Sequence, residues 1–308
     1  MGWIRTWRGE AINWECDELG HLNMRHYAAK MEEARQYLFI HLGLAHAFQP
    51  SHPSTVRTKG LTICYLREAR PGARLSIRSG ITDLRESTAT LAHVMEHHDG
   101  SPAATYLEEV EHTYLPDARA FPWPRRLRES WEAARVESAC APRGLPDAPA
   151  RGPDLAEIEA AGAERIGAGV FRPDEADSFG ALRPHAYLGR WTESVGNFRT
   201  GWPEMYAGDG LYGAEGAARI SGVLLELRVH IHHEAEPGHA FVALTGLTGV
   251  GANTRNFIHH LADPVTGRSY ASAEATSALI DLDRRKLVKT DGEMLETLRG
   301  RVLDTLSA

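Results

Sequence analysis

Apolar residues near the start of the chain recur with the period of a helix. They occupy every third or fourth position between 24 and 42, which places them along one side of a helix: Met24, Tyr27, Met31, Ala34, Leu38 and Leu42. Asn23 stands where a helix cap belongs, and Gly43 follows the last apolar position. The pattern predicts one long helix that begins directly after Asn23.

Shorter runs after this helix have the composition and alternation of β-strands. They cover residues 61–66, 73–81, 89–95 and 103–115 in the first half, and 221–231, 239–247, 255–262 and 268–282 in the second. The run 221–231 alternates most clearly, with apolar residues at odd-numbered positions from Val223 to Ile231. It predicts a strand with one buried face.

The two halves share a repeated segment. Four residues of DELGHLNMRHY recur 160 positions later in DSFGALRPHAY: Asp17, Gly20, Leu22 and Tyr27 match Asp177, Gly180, Leu182 and Tyr187. The same order of predicted helix and strands follows both copies, and Pro71-Gly72 is echoed by Pro237-Gly238 ahead of matching strands. We therefore predict an internal duplication.

A segment rich in Pro, Gly, Ala and charge separates the two halves. Residues 140–154 show no apolar period, as is typical of a linker. The length of 308 residues also favours two domains, because one domain usually takes roughly 100–200 residues. We place the first domain at 1–139, the linker at 140–164 and the second domain at 165–308.

Composition and charge narrow the range of functions. A formal net charge of −7 gives no basis for binding nucleic acid. The N-terminus does not look like a signal peptide and no run of about 18 apolar residues occurs, which predicts a cytoplasmic protein without membrane attachment. The cysteines Cys16, Cys64 and Cys140 are odd in number and far apart in sequence. We expect reduced thiols rather than a disulfide framework.

Asp17 lies in a loop directly before the predicted helix. A helix start presents unpaired N–H groups and a partial positive charge, both of which suit a developing oxyanion. A thioester carbonyl bound there would be polarised, while the Asp17 carboxylate supplies a nucleophile or a base for water. Gly20 would let the loop turn tightly. The groups that acyl transfer requires thus occur within one short segment.

The segment W-E-C-D-E-L-G-H-L-N-M-R-H-Y, followed by K-M-E-E-A-R, resembles a known signature. The signature is D-x-x-G-H-x-N-x-x-x-Y, of the 4-hydroxybenzoyl-CoA thioesterase branch of the hotdog superfamily. The resemblance implies an α+β fold of two tandem hotdog domains, each a long central helix wrapped by a curved antiparallel β-sheet. It also implies that Asp17 is the catalytic carboxylate and that the backbone N–H of Met24 polarises the carbonyl. His21 and Asn23 complete the candidate site.

The reaction that the resemblance implies is hydrolysis of an acyl-CoA thioester, or of an acyl carrier protein thioester, to the free acid and the thiol. It needs no metal or redox cofactor. Hotdog domains of this type work as pairs, with sites at the seam between two sheets, so a tandem chain offers two sites. Because such pairs often associate further, the resemblance also suggests a homodimer of the two-domain chain.

The second copy departs from the signature at three positions: His21 is replaced by Ala181, Asn23 by Arg183 and Met24 by Pro184. Proline has no backbone N–H. The loss of one oxyanion donor typically costs about 10²–10³ in rate. We therefore predict one working site, at Asp17, although the second copy keeps a carboxylate at Asp177.

Several of these residues also have structural interpretations. Asp17 is a common turn residue, Asn23 is first of all a helix cap, and His21 could equally bond a backbone carbonyl or handle substrate. Cys16 suggests a thiol nucleophile, but neighbouring side chains on an extended segment point to opposite faces. If Asp17 faces the site, Cys16 faces away from it.

Two clusters outside the motif could bind ligands. The spacing of His230, His232 and His233 could hold a metal, and the basic runs 125–126 and 284–286 could meet the phosphates of CoA. A solvated surface is the expected interpretation of both clusters.

Two other functions remain open. A hotdog dehydratase or hydratase would use an Asp and a His at a different spacing, and a regulatory hotdog protein would bind an acyl-CoA without turning it over. Release of a free thiol from a thioester would distinguish hydrolysis from both.

Overall fold

The computed structural model describes residues 2–146, 152–206 and 220–303. The helices are α1 (Met24–His41), α2 (Arg125–Ser130), α3 (Leu155–Ala160), α4 (Pro184–Ser194), α5 (Pro203–Tyr206) and α6 (Gly292–Arg299). The strands are β1 (Ile4–Glu10), β2 (Ser54–Tyr65), β3 (Arg74–Leu84), β4 (Thr88–His97), β5 (Pro102–Tyr114), β6 (Arg119–Ala120), β7 (Glu164–Val170), β8 (Ile220–Ile231), β9 (Ala240–Val250), β10 (Arg255–Ala262), β11 (Ser269–Asp281) and β12 (Lys286–Val288). Short 3-10 helices cover Asn13–Glu15, Trp131–Ala134, Pro173–Glu175 and Val195–Asn197.

The chain divides into two compact units. The first consists of Met1–Pro142 with Asp174–Leu188, and the second of Arg143–Pro173 with Gly189–Ala308. The segment Asp174–Leu188 carries the second Asp-Gly loop and the start of α4, so this part of the second copy groups with the first unit. The predicted domain limits at 139 and 165 follow the repeat in the sequence and stay a prediction.

The first unit is built on an antiparallel sheet in the order β1-β3-β4-β5-β2, with β6 paired to β5. The four strands predicted in this half fall on β2 to β5. Helix α1 packs on β1 and β3. The buried apolar side chains of the sheet include Ile77, Ile81, Leu91, Met95 and Val110.

Helix α1 forms where the apolar period predicted it. Tyr27, Met31, Ala34 and Leu38 are all buried, whereas Met24 at the helix start is half-buried. The burial of this stripe holds the helix on the sheet.

The end of α1 is set by Gly43. This residue has a φ of 101°, and its N–H donates to the carbonyl of Ile40 (3.1 Å). The N–H of Leu44 donates to the carbonyl of Phe39 (2.8 Å). These two bonds form a Schellman motif, in which glycine takes the left-handed conformation without a steric penalty.

The second unit has its own antiparallel sheet, in the order β8-β11-β10-β9-β7, with β12 paired to β11. The four strands predicted in this half fall on β8 to β11. On β8 the predicted alternation is visible in the burial of Leu227 and Val229, while Val223, Leu225 and Ile231 are only half-buried.

The two copies agree element by element, which confirms the predicted repeat. Strand β7 and the first residue of α4 lie 160 positions after β1 and the first residue of α1. Strands β8 and β9 lie 166 positions after β2 and β3, and β11 lies 167 after β5. The helices differ, because α4 has 11 residues and α1 has 18.

The segment 140–164 is not wholly irregular. Helix α3 lies within it and is capped by Asp154, whose side chain accepts a hydrogen bond from the Glu157 N–H (2.8 Å). Residues 147–151 of the predicted linker lie outside the described residues.

The three cysteines form no disulfide, but two of them are neighbours in space. The Sγ atoms of Cys64 and Cys140 lie 3.4 Å apart although 76 positions separate them in sequence. Within residues 2–146, 152–206 and 220–303, no helix combines the length and the apolarity needed to cross a bilayer.

Candidate active site

Asp17 opens a tight turn that leads into α1. Its N–H donates to the carbonyl of His21 (3.0 Å), and the N–H of Gly20 donates to the carbonyl of Asp17 (3.0 Å). Gly20 has a φ of 76°, which residues with a side chain rarely adopt. Leu22 is buried and donates its N–H to the carbonyl of Ala69 (2.7 Å). The turn is therefore fastened to the segment between β2 and β3.

The Asp17 carboxylate is held by neighbours in this turn. Oδ1 accepts a hydrogen bond from the Leu19 N–H (3.1 Å), and Oδ2 accepts one from Nδ2 of Asn23 (3.2 Å). Burial raises the pKa of Asp17 above its usual value, although His21, the Leu19 N–H and the Asn23 amide act in the opposite direction. A carboxylate that has lost part of its hydration is a stronger base than one in water.

Asn23 connects this carboxylate to the helix. Its Oδ1 accepts a hydrogen bond from the Arg25 N–H (3.0 Å), so the predicted cap is present. Its own N–H donates to the carbonyl of Glu15 (2.9 Å). Asn23 thus caps α1 with one side-chain atom and binds Asp17 with the other.

His21 and Met24 lie beside Asp17 and Asn23. Nδ1 of His21 is 3.6 Å from Oδ1 of Asp17 and 3.4 Å from the carbonyl oxygen of Leu22. Met24 is the first residue of α1, so its N–H has no acceptor within the helix. The Asn23 side chain bonds the Arg25 N–H and not that of Met24. The structure therefore brings the four predicted residues together.

Glu15 is a further residue of this region, and sequence reasoning missed it. Its carboxylate accepts hydrogen bonds from Nζ of Lys30 (2.6 and 2.8 Å) and from the Ile12 N–H (3.1 Å), and it lies 3.9 Å from Nδ1 of His26. Lys30 is almost fully buried. The available signal was a lysine adjacent to the apolar stripe and four residues after His26 on the same helix face. This ion pair ties the loop to the second turn of α1.

Cys16 does not have the environment of a nucleophile. Burial raises the pKa of its thiol above the usual value, and the neighbouring carboxylates of Asp17 and Glu15 raise it further. Its Sγ lies 3.5 Å from the carbonyl oxygen of Ile12, to which the thiol donates. Because the thiolate is the reactive form, these surroundings favour Asp17 over Cys16.

Comparison with known families identifies the group to which the chain belongs. A family model of the thioesterase-like superfamily matches residues 12–131 and again residues 171–298. The chain belongs to the thioesterase-like superfamily. The double match follows the two copies of the repeat, and membership confirms the predicted thioester hydrolase in general terms. A comparison with curated protein sequences finds no match.

Solved structures of thioesterases share this fold over nearly the whole chain. The 12:0-ACP thioesterase from Umbellularia californica is 12% identical, with a TM-score of 0.66 over 90% of this chain and 94% of the other. A protein described as an oleoyl thioesterase from Lactobacillus plantarum is 12% identical, with a TM-score of 0.65 over 89% and 95%. An acyl-ACP thioesterase from Bacteroides thetaiotaomicron is 12% identical, with a TM-score of 0.61 over 88% and 96%. At this identity the likeness concerns the fold.

The second copy of this thioesterase-like chain builds the same turn around Asp177. Its N–H donates to the carbonyl of Ala181 (2.8 Å), and Gly180 has a φ of 84°. Its Oδ1 accepts from the N–H groups of Phe179 (2.8 Å) and Ala181 (3.1 Å), and its Oδ2 lies 3.0 Å from the guanidinium of Arg57. Asp177 is therefore the partner of an arginine rather than of a capping amide.

The start of α4 is occupied by a carboxylate from α1. Glu32, which is buried, accepts a hydrogen bond from the His185 N–H (3.0 Å) and lies 3.0 Å from Nδ1 of His185. Arg183 stands at the position of Asn23 but offers only donors, so it cannot cap the helix. Pro184, the first residue of α4, has no N–H. Glu32 thus replaces the missing cap.

The histidine cluster and the basic runs have other partners. His232 and His233 bond Oγ of Ser272 (2.8 Å) and the carbonyl of Ser269 (2.8 Å), and burial lowers the pKa of His230 to about 4. His230 and His232 are half-buried rather than fully solvated, whereas His233 is exposed. Across the described parts of the chain, no three His, Cys, Asp or Glu side chains are placed to hold a metal. Exposed Arg125 and Arg284 pair with neighbouring carboxylates.

We predict that the two functions of Asn23 can be separated by substitution. Asn23→Asp keeps an acceptor for the Arg25 N–H but places a second carboxylate beside Oδ2 of Asp17. The pKa of Asp17 should then rise further, because a donor is lost and a like charge is gained. Asn23→Ala should instead lower the free energy of unfolding by about 1 kcal/mol, the usual cost of a lost cap.

Chemical denaturation would measure the cap, and an NMR titration of the Asp17 carboxyl carbon would measure the pKa. The same Asp17 titration curve in wild type and Asn23→Asp would contradict the contact between these two side chains.

Proposed function

We propose that this protein hydrolyses acyl thioesters at one site, formed by Asp17 and the amino end of α1. The observation that supports this most directly is the position of Asn23. One amide group contacts Asp17 at 3.2 Å and caps α1 at 3.0 Å. A carboxylate and a helix start held by one side chain are close enough to act on one carbonyl group.

In the proposed reaction the thioester carbonyl lies at the start of α1. Either the Asp17 carboxylate adds to the carbonyl carbon, or it removes a proton from a water that does so. The carbonyl oxygen becomes an oxyanion and accepts a hydrogen bond from the Met24 N–H. On the water route, the carbon–sulfur bond breaks to give the free acid, and the proton that Asp17 removed from the water goes to the thiolate. On the nucleophilic route, the bond breaks to leave a mixed anhydride on Asp17, and the thiolate takes a proton from solvent. A water molecule then hydrolyses the anhydride, which releases the acid and restores the carboxylate. Since these groups supply both the nucleophile and the oxyanion donor, the reaction requires no metal or redox cofactor.

The proposed substrates are acyl-CoA or acyl carrier protein thioesters. Two considerations support this choice: the motif around Asp17 resembles that of an acyl-CoA thioesterase, and two of the structures with the same fold are described as acyl-ACP thioesterases. The cytoplasmic location and the homodimer stay predictions from the sequence.

The proposal of a single site rests on three features of the second copy. Pro184 removes the N–H that corresponds to that of Met24. Arg57 neutralises Asp177 at 3.0 Å, and Glu32 occupies the start of α4. Each of these features opposes catalysis, and none has an equivalent in the contacts described for Asp17.

Substitution of the two aspartates tests the proposal. Asp17→Asn should lower the rate of thiol release from acyl-CoA substrates by at least about 100-fold, because an amide is neither base nor nucleophile. The matched variant Asp177→Asn should keep a rate within about threefold of wild type, as expected for a residue outside the reaction. Thiol release would be measured over acyl groups of different length. Equal rates for wild type and Asp17→Asn would overturn the proposal.

We also predict a specific effect of Met24→Pro. Proline is tolerated at the first position of a helix, and Pro184 already occupies this position in α4. The variant should therefore fold with a melting temperature close to that of wild type. Its kcat should fall by about 10²–10³, because the proposed oxyanion donor is removed.

Met24→Leu, which keeps the N–H and a similar volume, is the control. A folded Met24→Pro protein with the kcat of Met24→Leu would show that this N–H has no function in the reaction.

A further inference from the structure

A row of buried polar side chains crosses the sheet of the first unit beneath α1. We call it the polar row; it takes one member from each of the five main strands and one from the helix: Thr6, Ser79, His93, Glu108, Thr58 and Arg35. None of the six is more than 6% exposed. The strands contribute in the order in which they lie in the sheet, from β1 to β2.

The first half of the polar row is a chain of close contacts. Oγ1 of Thr6 and Oγ of Ser79 are 2.7 Å apart, and Oγ of Ser79 is 2.7 Å from Nδ1 of His93. Nε2 of His93 lies 3.4 Å from Oε2 of Glu108. Two close polar contacts thus link β1 to β4, and an electrostatic contact without hydrogen-bond geometry links β4 to β5.

The second half of the polar row connects the sheet to the helix. Oε1 of Glu108 accepts hydrogen bonds from Arg35 (3.0 Å) and from the hydroxyl of Thr58 (2.5 Å), and Arg35 also donates to Thr58. Burial acts to raise the pKa of Glu108, but Arg35, His93 and Thr58 outweigh it and the pKa is lowered. Arg35 and Glu108 are therefore a buried pair of opposite charges, in which Arg35 comes from α1.

Stability alone does not explain such a pair. Removing two charges from water carries a large penalty, and replacing a buried ion pair by apolar residues of similar volume is often neutral or stabilising. In some proteins, buried polar or ionic groups specify one geometry rather than add stability.

The sheet of the second unit lacks the two charged residues at the corresponding positions. Oγ1 of Thr245 and Nδ1 of His259 lie 2.8 Å apart and correspond to Ser79 and His93. The other four positions are apolar. Ile166, Ala275 and Leu224 stand in place of Thr6, Glu108 and Thr58. The residue 160 positions after Arg35 is Val195, at the start of the 3-10 helix that follows α4. The fold therefore accommodates apolar residues at these positions. The complete row occurs only in the copy that carries the candidate site.

We propose that Arg35 and Glu108 are positioning residues for catalysis, which hold α1 in one place on the sheet so that its amino end faces Asp17. This inference rests on the function proposed above. Arg35 is 11 residues after Met24, about 16 Å along the helix. Apolar packing is non-directional and leaves a helix some freedom to shift, whereas a shift of about 1 Å at a reacting group can cost 10²-fold in rate.

The test replaces the pair by apolar residues in the full chain. Arg35→Met combined with Glu108→Leu should keep the melting temperature within about 5 °C of wild type. Its kcat for thiol release should fall by roughly 10- to 100-fold while KM changes little, because the substrate still binds but the reacting groups are misplaced. A folded pair variant with a kcat within about twofold of wild type would overturn the proposal.

Two further variants keep the test decisive. Thr245→Val removes the bond between Thr245 and His259, which is the counterpart in the second unit of the bond between Ser79 and His93. This variant should leave kcat unchanged. Glu108→Gln keeps the side-chain shape but removes the charge. If the pair variant does not fold, Glu108→Gln decides: a loss of kcat at unchanged melting temperature supports positioning, and a wild-type kcat overturns it.

A readout independent of activity separates this inference from the proposed function. The chain has six methionines, and the methyl signals of Met24 and Met31 in a ¹³C-methionine spectrum report on α1. Both signals should shift in the pair variant but not in Thr245→Val. If the Met24 signal does not shift in the pair variant, the positioning role is overturned, even where the wild-type protein hydrolyses thioesters. A wild-type protein that releases no thiol would instead overturn the proposed function.

Discussion

The site depends on one side chain that bonds in two directions. Asn23 accepts a hydrogen bond from the first turn of α1 and donates one to the Asp17 carboxylate. The position of the carboxylate is therefore fixed relative to the start of the helix. The bonds across the Asp17 turn and the pairing of Glu15 with Lys30 support this arrangement from the loop side. The start of α1, where the Met24 N–H has no acceptor within the helix, is thus tied to a carboxylate whose burial makes it more basic.

The two copies show how the same turn can lose this arrangement. When the capping position carries Arg183, no acceptor is available for the start of α4, and Glu32 supplies one from another helix. Asp177, which has lost its amide donor, pairs with Arg57. The turn itself is unchanged, because its geometry depends on Gly180 and on backbone bonds that side-chain replacement does not affect. The two copies therefore keep the same turn while the partners of its aspartate differ.

Local signals in the sequence were sufficient for the main elements. The stripe from Tyr27 to Leu38 predicted α1, and the repeated Asp and Gly predicted the two turns. Composition and alternation predicted eight of the ten main strands, while β1 and β7 were missed. The cap at Asn23 was predicted because capping involves residues only two positions apart. The family match over both halves confirms the resemblance that the motif indicated.

Contacts between distant residues could not be predicted in this way. Lys30, Glu32 and Arg35 would be assigned to the solvent face of α1, yet all three are buried, with partners at Glu15, His185 and Glu108. Each partner comes from another element, and sequence periodicity carries no information about which element that is. The only local sign was three charged residues adjacent to the apolar stripe.

The dependence of kcat/KM on pH is the most direct measurement of the central claim, that a partly desolvated Asp17 carboxylate acts at the start of α1. Because kcat/KM reports ionisations of the free enzyme, kcat/KM should fall as the pH decreases through the pKa of Asp17. Because burial raises that pKa, the midpoint of the fall should lie above the ordinary aspartate value of 3.8. The residual rate of Asp17→Asn should lack this fall. A midpoint at or below the ordinary value, or the same acid limb in Asp17→Asn, would contradict the account.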